Sequence, residues 1–405
     1  MSALSPRYSI FAGRHQANVW LLALANALAG GNSALVYATG SIVGVELAPA
    51  PGLATLPITL FVIGTASATL PAGAFARRFG RRATFQLGTG LGALCGILAA
   101  YAIWHQNFAL YGQALFFGGG YAAVIQSYRF AATDGLAPEQ RARAISTVLT
   151  GGIVAAVLGP QLVTLTMGLA PLHLFVATYI GQALVALLAM SVVSMVDLPR
   201  PAAAEAAAAR PLLDIITQPA FMLAAFCGLV SYVLMNLVMT SAPLAMKLCG
   251  FAPGSSNNVI QWHIMAMYVP SFLTGALISR FGARAIVATG LAMIAAAALA
   301  DMSGIAITQF TLGLILLGAG WNFGFIGASA MVVETHTPAE RNKVQSFNDF
   351  LIFGTMALGS FSSGQILAFY GWVMVNKAVL PPVGIALLLL AFVALRQRLG
   401  RPSPA

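Results

Sequence analysis

Hydrophobic residues run along this chain in long blocks separated by brief polar connections. A bilayer span needs about 20 predominantly apolar residues. Twelve blocks meet that length, at residues 18–45, 53–76, 83–104, 107–131, 144–168, 171–195, 219–246, 258–279, 285–304, 307–333, 346–369 and 372–395. The first is too long for a signal-peptide core and no small-residue cleavage site follows it, so it is expected to remain as a helix. The longest polar connection, Asp197 to Gln218, is rich in Pro and Ala and carries Arg200, Glu205, Arg210 and Asp214. It predicts an N-terminal six-helix half (residues 1–196), a cytoplasmic linker (197–218) and a C-terminal six-helix half (219–405). The expected fold class is an all-α membrane protein of twelve transmembrane helices.

Composition excludes the alternatives. Of 405 residues, 59% are hydrophobic and 7% charged, against about 25% charged in a soluble domain. A soluble enzyme is excluded by the missing polar cover, disorder by the apolar content, and a disulfide scaffold by the presence of three cysteines. The net charge of +10 comes from 20 basic and 10 acidic residues. No basic run is interleaved with aromatics, which argues against nucleic acid as a partner, and the lipid bilayer is the expected one. Read by position, 18 of the 20 bases fall on one side if both termini are cytoplasmic, and only Lys247 and Lys377 fall on the other. Cytoplasmic loops collect Lys and Arg in this way.

The two halves repeat each other at an offset of about 200 residues. Gly73-Ala-Phe-Ala-Arg-Arg-Phe-Gly-Arg-Arg82 matches Gly275-Ala-Leu-Ile-Ser-Arg-Phe-Gly-Ala-Arg284, and Gly118-Gly-Gly-Tyr121 matches Gly318-Ala-Gly-Trp321. Asp134, Pro138, Arg141 and Ser146 match Glu334, Pro338, Arg341 and Ser346. The glycine- and arginine-rich loop between the second and third helices, echoed in the second half, resembles the major facilitator superfamily over nearly the whole chain. One departure is Arg77, where that family usually carries an Asp. The resemblance implies two pseudo-symmetric halves, alternating access and a site near the midplane. It also implies a gating role for Arg77, Arg78, Arg81, Arg82, Arg280 and Arg284; the same arginines would equally serve to hold their loops inside.

Ionisable groups within spans are functional candidates. Glu46, Asp301, Asp134 and Glu334 sit at span ends, and Asp349 lies near the start of the eleventh. His263 is the one histidine inside a span. Methionines gather around it: Met235 and Met239 are four apart in the seventh span, and His263 and Met267 four apart in the eighth. Each pair shares a helix face, and the antiparallel course of the two spans brings the pairs to matched depth. Three neutral thioethers and an imidazole suit Cu(I) and disfavour Mg²⁺ or Ca²⁺. Methionine is equally a common filler of apolar helices, so packing stands beside metal binding as a reading. Uncharged amides in the spans, among them Asn26, Asn32, Gln113, Gln126, Asn236, Gln261, Asn322 and Asn348, are equally explained as interhelical hydrogen-bond partners and receive no individual role.

An M-x-x-x-M pair in the seventh helix followed by H-x-x-x-M in the eighth resembles the CcoA-like copper importers, the CalT branch of the superfamily. That resemblance implies a non-enzymatic carrier in the bacterial inner membrane that imports copper for assembly of cbb3-type cytochrome c oxidase. Met235, Met239, His263 and Met267 would be the ligands, and copper would be the substrate, with no cofactor. Cys227 and Cys249 are expected either to relay copper to a cytoplasmic acceptor or to pack as thiols. A disulfide between them is not expected, since 22 helical residues would hold them about 33 Å apart. Cys95 is expected to pack, and the carrier to be a monomer. The competing expectation is a proton-coupled exporter of small organic molecules. Against it, the N-terminal spans hold no carboxylate near the midplane.

Overall fold

A computed structural model describes residues 6–132, 138–197, 210–337 and 340–399. Asp134, Pro338 and the linker residues Arg200 and Glu205 lie outside the described residues, as do the side chains of Arg77, Pro138, Arg141, Ser146, Arg341 and Ser346. The helices are α1 (Pro6–Leu47), α2 (Leu56–Phe79), α3 (Arg81–Trp104), α4 (Phe108–Ile125), α5 (Tyr128–Ala131), α6 (Pro138–Thr166), α7 (Val176–Ser194), α8 (Leu212–Ile216), α9 (Pro219–Leu248), α10 (Pro253–Tyr268), α11 (Ser271–Phe281), α12 (Ala283–Met302), α13 (Ile307–Val333), α14 (Arg341–Lys377) and α15 (Leu380–Leu399). In hydrocarbon every backbone polar group must be satisfied internally, and helices do this within one segment. Among the described residues, ten stretches are long and apolar enough to cross a membrane. One of them, Lys343–Arg396, contains both α14 and α15, and the shorter apolar stretch Thr150–Thr166 of α6 comes in addition.

Three departures from the hydropathy pattern have local causes. The fourth block stops as α4 at Ile125, where the Ser127 hydroxyl donates to the Val124 carbonyl at 2.6 Å and competes with the helical ladder. The eighth block breaks into α10 and α11 at Val269–Pro270, because proline has no N–H to donate. Between the eleventh and twelfth blocks Gly371 adopts φ 78°, and α14 continues past it to Lys377, so the twelfth block begins as α15 at Leu380 rather than at residue 372. The Asp197–Gln218 connection also contains a short helix, α8.

The chain divides into two compact units, residues 1–49 with 56–204 and residues 50–55 with 205–405. In the first, α1 packs on α6, α2 on α4, and α3 on both α4 and α7. Two pairs of its buried polar groups meet: the Tyr111 and Tyr179 hydroxyls lie 2.6 Å apart, and Gln182 Nε2 donates to Asn32 Oδ1 at 2.7 Å. In the second, α9 packs on α13 and α14, while α10 and α12 pack on α13. The repeat has a backbone signature. Gly80 and Gly282 both take left-handed dihedrals (φ 89° and 84°) immediately before α3 and α12. Only glycine reaches that conformation without strain, which accounts for the Phe-Gly pair in each copy.

In the second unit the residue that starts α8's approach is clamped. Arg210 donates from Nε to Glu340 Oε1 and from Nη2 to Oε2, both at 2.7 Å, and its backbone N–H donates to Oε1 at 3.0 Å. Thr337 N–H adds a bond to Oε2 at 2.9 Å, and Lys343 Nζ donates to the Arg210 carbonyl. The Glu340 side chain is 2% exposed, the Arg210 side chain 47%. The Arg210 guanidinium, with the Thr337 amide, holds the Glu340 carboxyl well below its ordinary value of 4.5. A group whose pKa is depressed on folding stabilises above its unfolded value and loses that contribution as pH falls. Thermal melts of the parent and Glu340→Gln should therefore differ most at neutral pH and converge on acidification below about 4.5; a gap that stays constant with pH would refute the assignment.

Candidate functional site

In the second unit α9 and α10 both lie against α13, and the sequence-expected ligands are distributed on them. Met235, Met239 and Met267 are 3%, 3% and 6% exposed, and His263 is fully buried. The imidazole points at α13: His263 Nδ1 lies 2.7 Å from the Leu314 carbonyl. A carbonyl only accepts, so Nδ1 carries the hydrogen and Nε2 presents its lone pair. That Nε2 is buried without a hydrogen-bond partner. Gly318 leaves the room for this approach; a Cβ there would sit 3.2 Å from Nδ1. Among the described residues, no group of three or more His, Cys, Asp or Glu side chains is placed to hold a metal ion. Any ligand set here therefore depends on the thioethers.

One turn further along α10, the helix break is stitched to α13 by Asn322. Its Nδ2 donates to the Met267 carbonyl and to Ser271 Oγ, each at 2.6 Å, and its Oδ1 accepts from Thr274 Oγ1 at 2.6 Å. The side chain is fully buried, and both amide hydrogens are engaged. This role was legible only in outline, since the Pro270 that makes it necessary stands in the sequence but its partner on α13 does not.

Beside Asn322, aromatic rings from four helices converge, and spacing within one helix does not reveal them. The Tyr232 ring of α9 meets Trp321, Phe325 and Phe353 edge-on, at centroid distances of 5.3, 4.9 and 5.7 Å. Trp321 and Phe325, one turn apart on α13, stack at 5.4 Å with 16° between planes. Tyr268, the last residue of α10, reaches the Trp321 ring at 6.4 Å. Trp321 is 7% exposed and its Nε1 is buried without a partner. At the repeat-related position of the first unit, Tyr121 is likewise a buried aromatic whose hydroxyl has none. The i, i+4 pair Trp321 and Phe325 was the available sequence signal.

The remaining candidates are dispersed. Cys227 is buried within α9 and Cys249 is exposed at its far end; both are free thiols. Cys95 is buried in the first unit against Gly118. In the repeated loops, Arg78 lies over the Phe79 ring at 5.3 Å and Arg280 over Phe281 at 5.2 Å, the same cation–π arrangement in each unit. Arg82 and Arg284 are exposed and Arg81 is half-buried. Asp301, expected at a span end, is 1% exposed on α12, its carboxylate seated in the notch left by Gly313 and without a hydrogen-bond partner.

Comparison with known proteins gives these observations a frame. Residues 21–269 match the family model of the Major Facilitator Superfamily. The riboflavin transporter RfnT of Brucella anthropi is 44% identical over 373 residues, covering 91% of this chain and 94% of that protein. YdeG of Bacillus subtilis, described as an uncharacterized MFS-type transporter, is 31% identical over 376 residues, covering 87% and 86%. Among solved structures, a partially occluded, inward-open form of the E. coli xylose transporter XylE superposes with a TM-score of 0.72 at 11% identity, over 94% of this chain and 97% of that one. A D-xylose-proton symporter gives 0.71 at 13%, over 93% and 96%. At such identity these two speak for the fold alone. Membrane-length helices, the repeated loops and these relatives agree: the chain is a multi-pass membrane protein and belongs to the Major Facilitator Superfamily of secondary transporters.

Proposed function

We propose that this chain carries a small organic molecule of the riboflavin class, a flat heteroaromatic ring with polar substituents, across the bacterial inner membrane by alternating access, with both termini in the cytoplasm. The observation that carries this reading is the 44% identity to a riboflavin transporter along 91% of the chain. It reverses the order of preference reached from sequence, where copper import stood first and organic-solute transport second. The relatives described above carry no copper name, and nothing about them bears on cytochrome oxidase assembly. Proton coupling, part of that second reading, finds a candidate group in the buried Asp301, since ionisable residues within spans mark ion pathways.

Copper import remains as the second reading because of one atom. The bare, buried Nε2 of His263, on a helix that also carries Met267 and beside a helix that carries Met235 and Met239, is the donor a soft metal would use. Cys227 and Cys249 would be accessory thiols in that reading, and a cytoplasmic acceptor its partner. Uptake of labelled riboflavin and of copper into cells expressing the chain separates the two. Riboflavin uptake above the empty-vector level, with copper uptake at that level in the parent and in His263→Ala alike, supports the first reading. Copper uptake that His263→Ala abolishes, with no riboflavin uptake, supports the second.

A further inference from the structure

We infer that Tyr232, Tyr268, Trp321 and Phe325 form a ring-stacking half-site in the second unit, at which the Trp321 indole N–H donates a hydrogen bond to a carbonyl or ring nitrogen of a flat heteroaromatic solute. The inference deepens the organic-solute reading and rests on it.

Three observations meet at this cluster. First, its rings come from three helices, α9, α10 and α13, and lie within 4.9–6.4 Å of one another. Tyr232 stands nearly perpendicular to Trp321 and Phe325, at 85° and 87°. Tyr232, Tyr268 and Phe325 are only half-buried, so ring surface remains for a further aromatic partner. Edge-to-face and offset-stacked arrangements are the favoured ones for such partners.

Second, the Trp321 N–H is orphaned at 7% exposure. A buried donor left unpaired is costly, and such groups in native structures call for an explanation. A tryptophan placed for packing alone would not need its N–H here, and this one keeps a donor that packing does not use.

Third, the neighbouring amide cannot serve the same solute. Both Nδ2 hydrogens of Asn322 are already committed, to the Met267 carbonyl and Ser271 Oγ, and its Oδ1 accepts from Thr274. Asn322 thereby fixes the α13 backbone beside Trp321 and leaves the indole as the free donor at this level of the helix.

These features define the solute's chemistry. Rings that stack select a planar π-system, and a donor without an acceptor selects a heterocycle bearing a carbonyl or an imine-type nitrogen. A naked metal ion offers no acceptor to the indole N–H, so copper would leave that donor unpaired, whatever His263 binds. The polar tail of the solute lies outside what this cluster recognises.

The test uses the full-length chain in nanodiscs, titrated with riboflavin and read by flavin fluorescence, which stacking on tryptophan or tyrosine quenches. Lumichrome, the ring without its ribityl chain, is titrated in parallel. Trp321→Phe keeps a ring and removes the N–H; it should raise Kd about tenfold, the equivalent of about 1.4 kcal/mol, for riboflavin and lumichrome alike. Tyr232→Leu removes a ring and should reduce quenching at saturation. Thermal melts establish that each variant is folded, and the conservative Trp321→Phe carries the test if Tyr232→Leu is not. Binding by the parent with Kd for Trp321→Phe within twofold of the parent's overturns the inference alone. Failure of the parent to bind either compound overturns the organic-solute reading, and the inference with it.

Discussion

Asn322→Ala should lose about 2 kcal/mol of stability and most of its transport. The side chain makes three hydrogen bonds across the break between α10 and α11, and such bonds average about 0.6 kcal/mol each in membrane proteins. The unpaired Thr274 and Ser271 hydroxyls and the Met267 carbonyl then add to the loss. The transport defect follows from geometry. Pro270 removes one backbone donor, so without Asn322 the break itself loses its hydrogen bonds to α13, and Met267, Tyr268 and Trp321 lose a common reference. Thr274→Val deletes the bond to Asn322 Oδ1 together with the one from Thr274 Oγ1 to the Pro270 carbonyl at 2.8 Å, leaves both Nδ2 bonds in place, and should cost about 1 kcal/mol by the same scale. Melting and uptake measured in nanodiscs and vesicles check both; an Asn322→Ala protein that melts and transports like the parent would remove the hub from the account.

Gly119→Ala should be more damaging still. A Cβ on Gly119 would fall directly on the Phe61 carbonyl oxygen and 2.7 Å from the Thr65 amide nitrogen, and Gly64 on the facing helix meets the Phe116 carbonyl in the same way. The obstacle is backbone, so no rotamer change relieves it and α2 and α4 must separate. Overpacking of a core costs about 1–3 kcal/mol where side chains can adjust, and this site belongs at or above the upper end. Small residues are what let transmembrane helices approach so closely. Gly384→Ala in α15, with nothing within 4 Å of the added atom, is the control: it should be neutral or stabilising by up to about 1 kcal/mol through helix propensity. Equal melting temperatures for the two alanine variants would contradict the packing argument.

The spans were legible because lipid leaves the backbone so few options. Residues 307–333 of the hydropathy pattern coincide with α13, and 219–246 and 83–104 fall within α9 and α3. Breaks inside spans were less so. Hydropathy averages over Pro270, which is neutral in composition yet interrupts the ladder, whereas the gap between the blocks ending at 369 and starting at 372 falls on the non-helical Gly371. The repeat was readable down to the backbone, since the Phe-Gly pairs proved to be left-handed turns at Gly80 and Gly282.

The site was legible only helix by helix. Spacing placed Met235 with Met239 and His263 with Met267, and all four are buried. What it could not supply is that His263 turns towards Leu314 and keeps Nε2 free, because that depends on a carbonyl 51 residues away. The aromatic cluster escaped for the same reason, being assembled from single rings on α9, α10 and α14 around the Trp321 and Phe325 pair of α13. Nor did either pattern name the solute, because a shared fold hosts many substrates and four ligand-like residues are compatible with more than one.

The central claim, a carrier for a flat organic solute, is tested most directly with the purified chain in sealed vesicles given labelled riboflavin and copper in parallel. The account predicts saturable riboflavin accumulation above protein-free vesicles, competed by lumichrome, with copper at the protein-free level. Saturable copper accumulation with riboflavin at the protein-free level would contradict it.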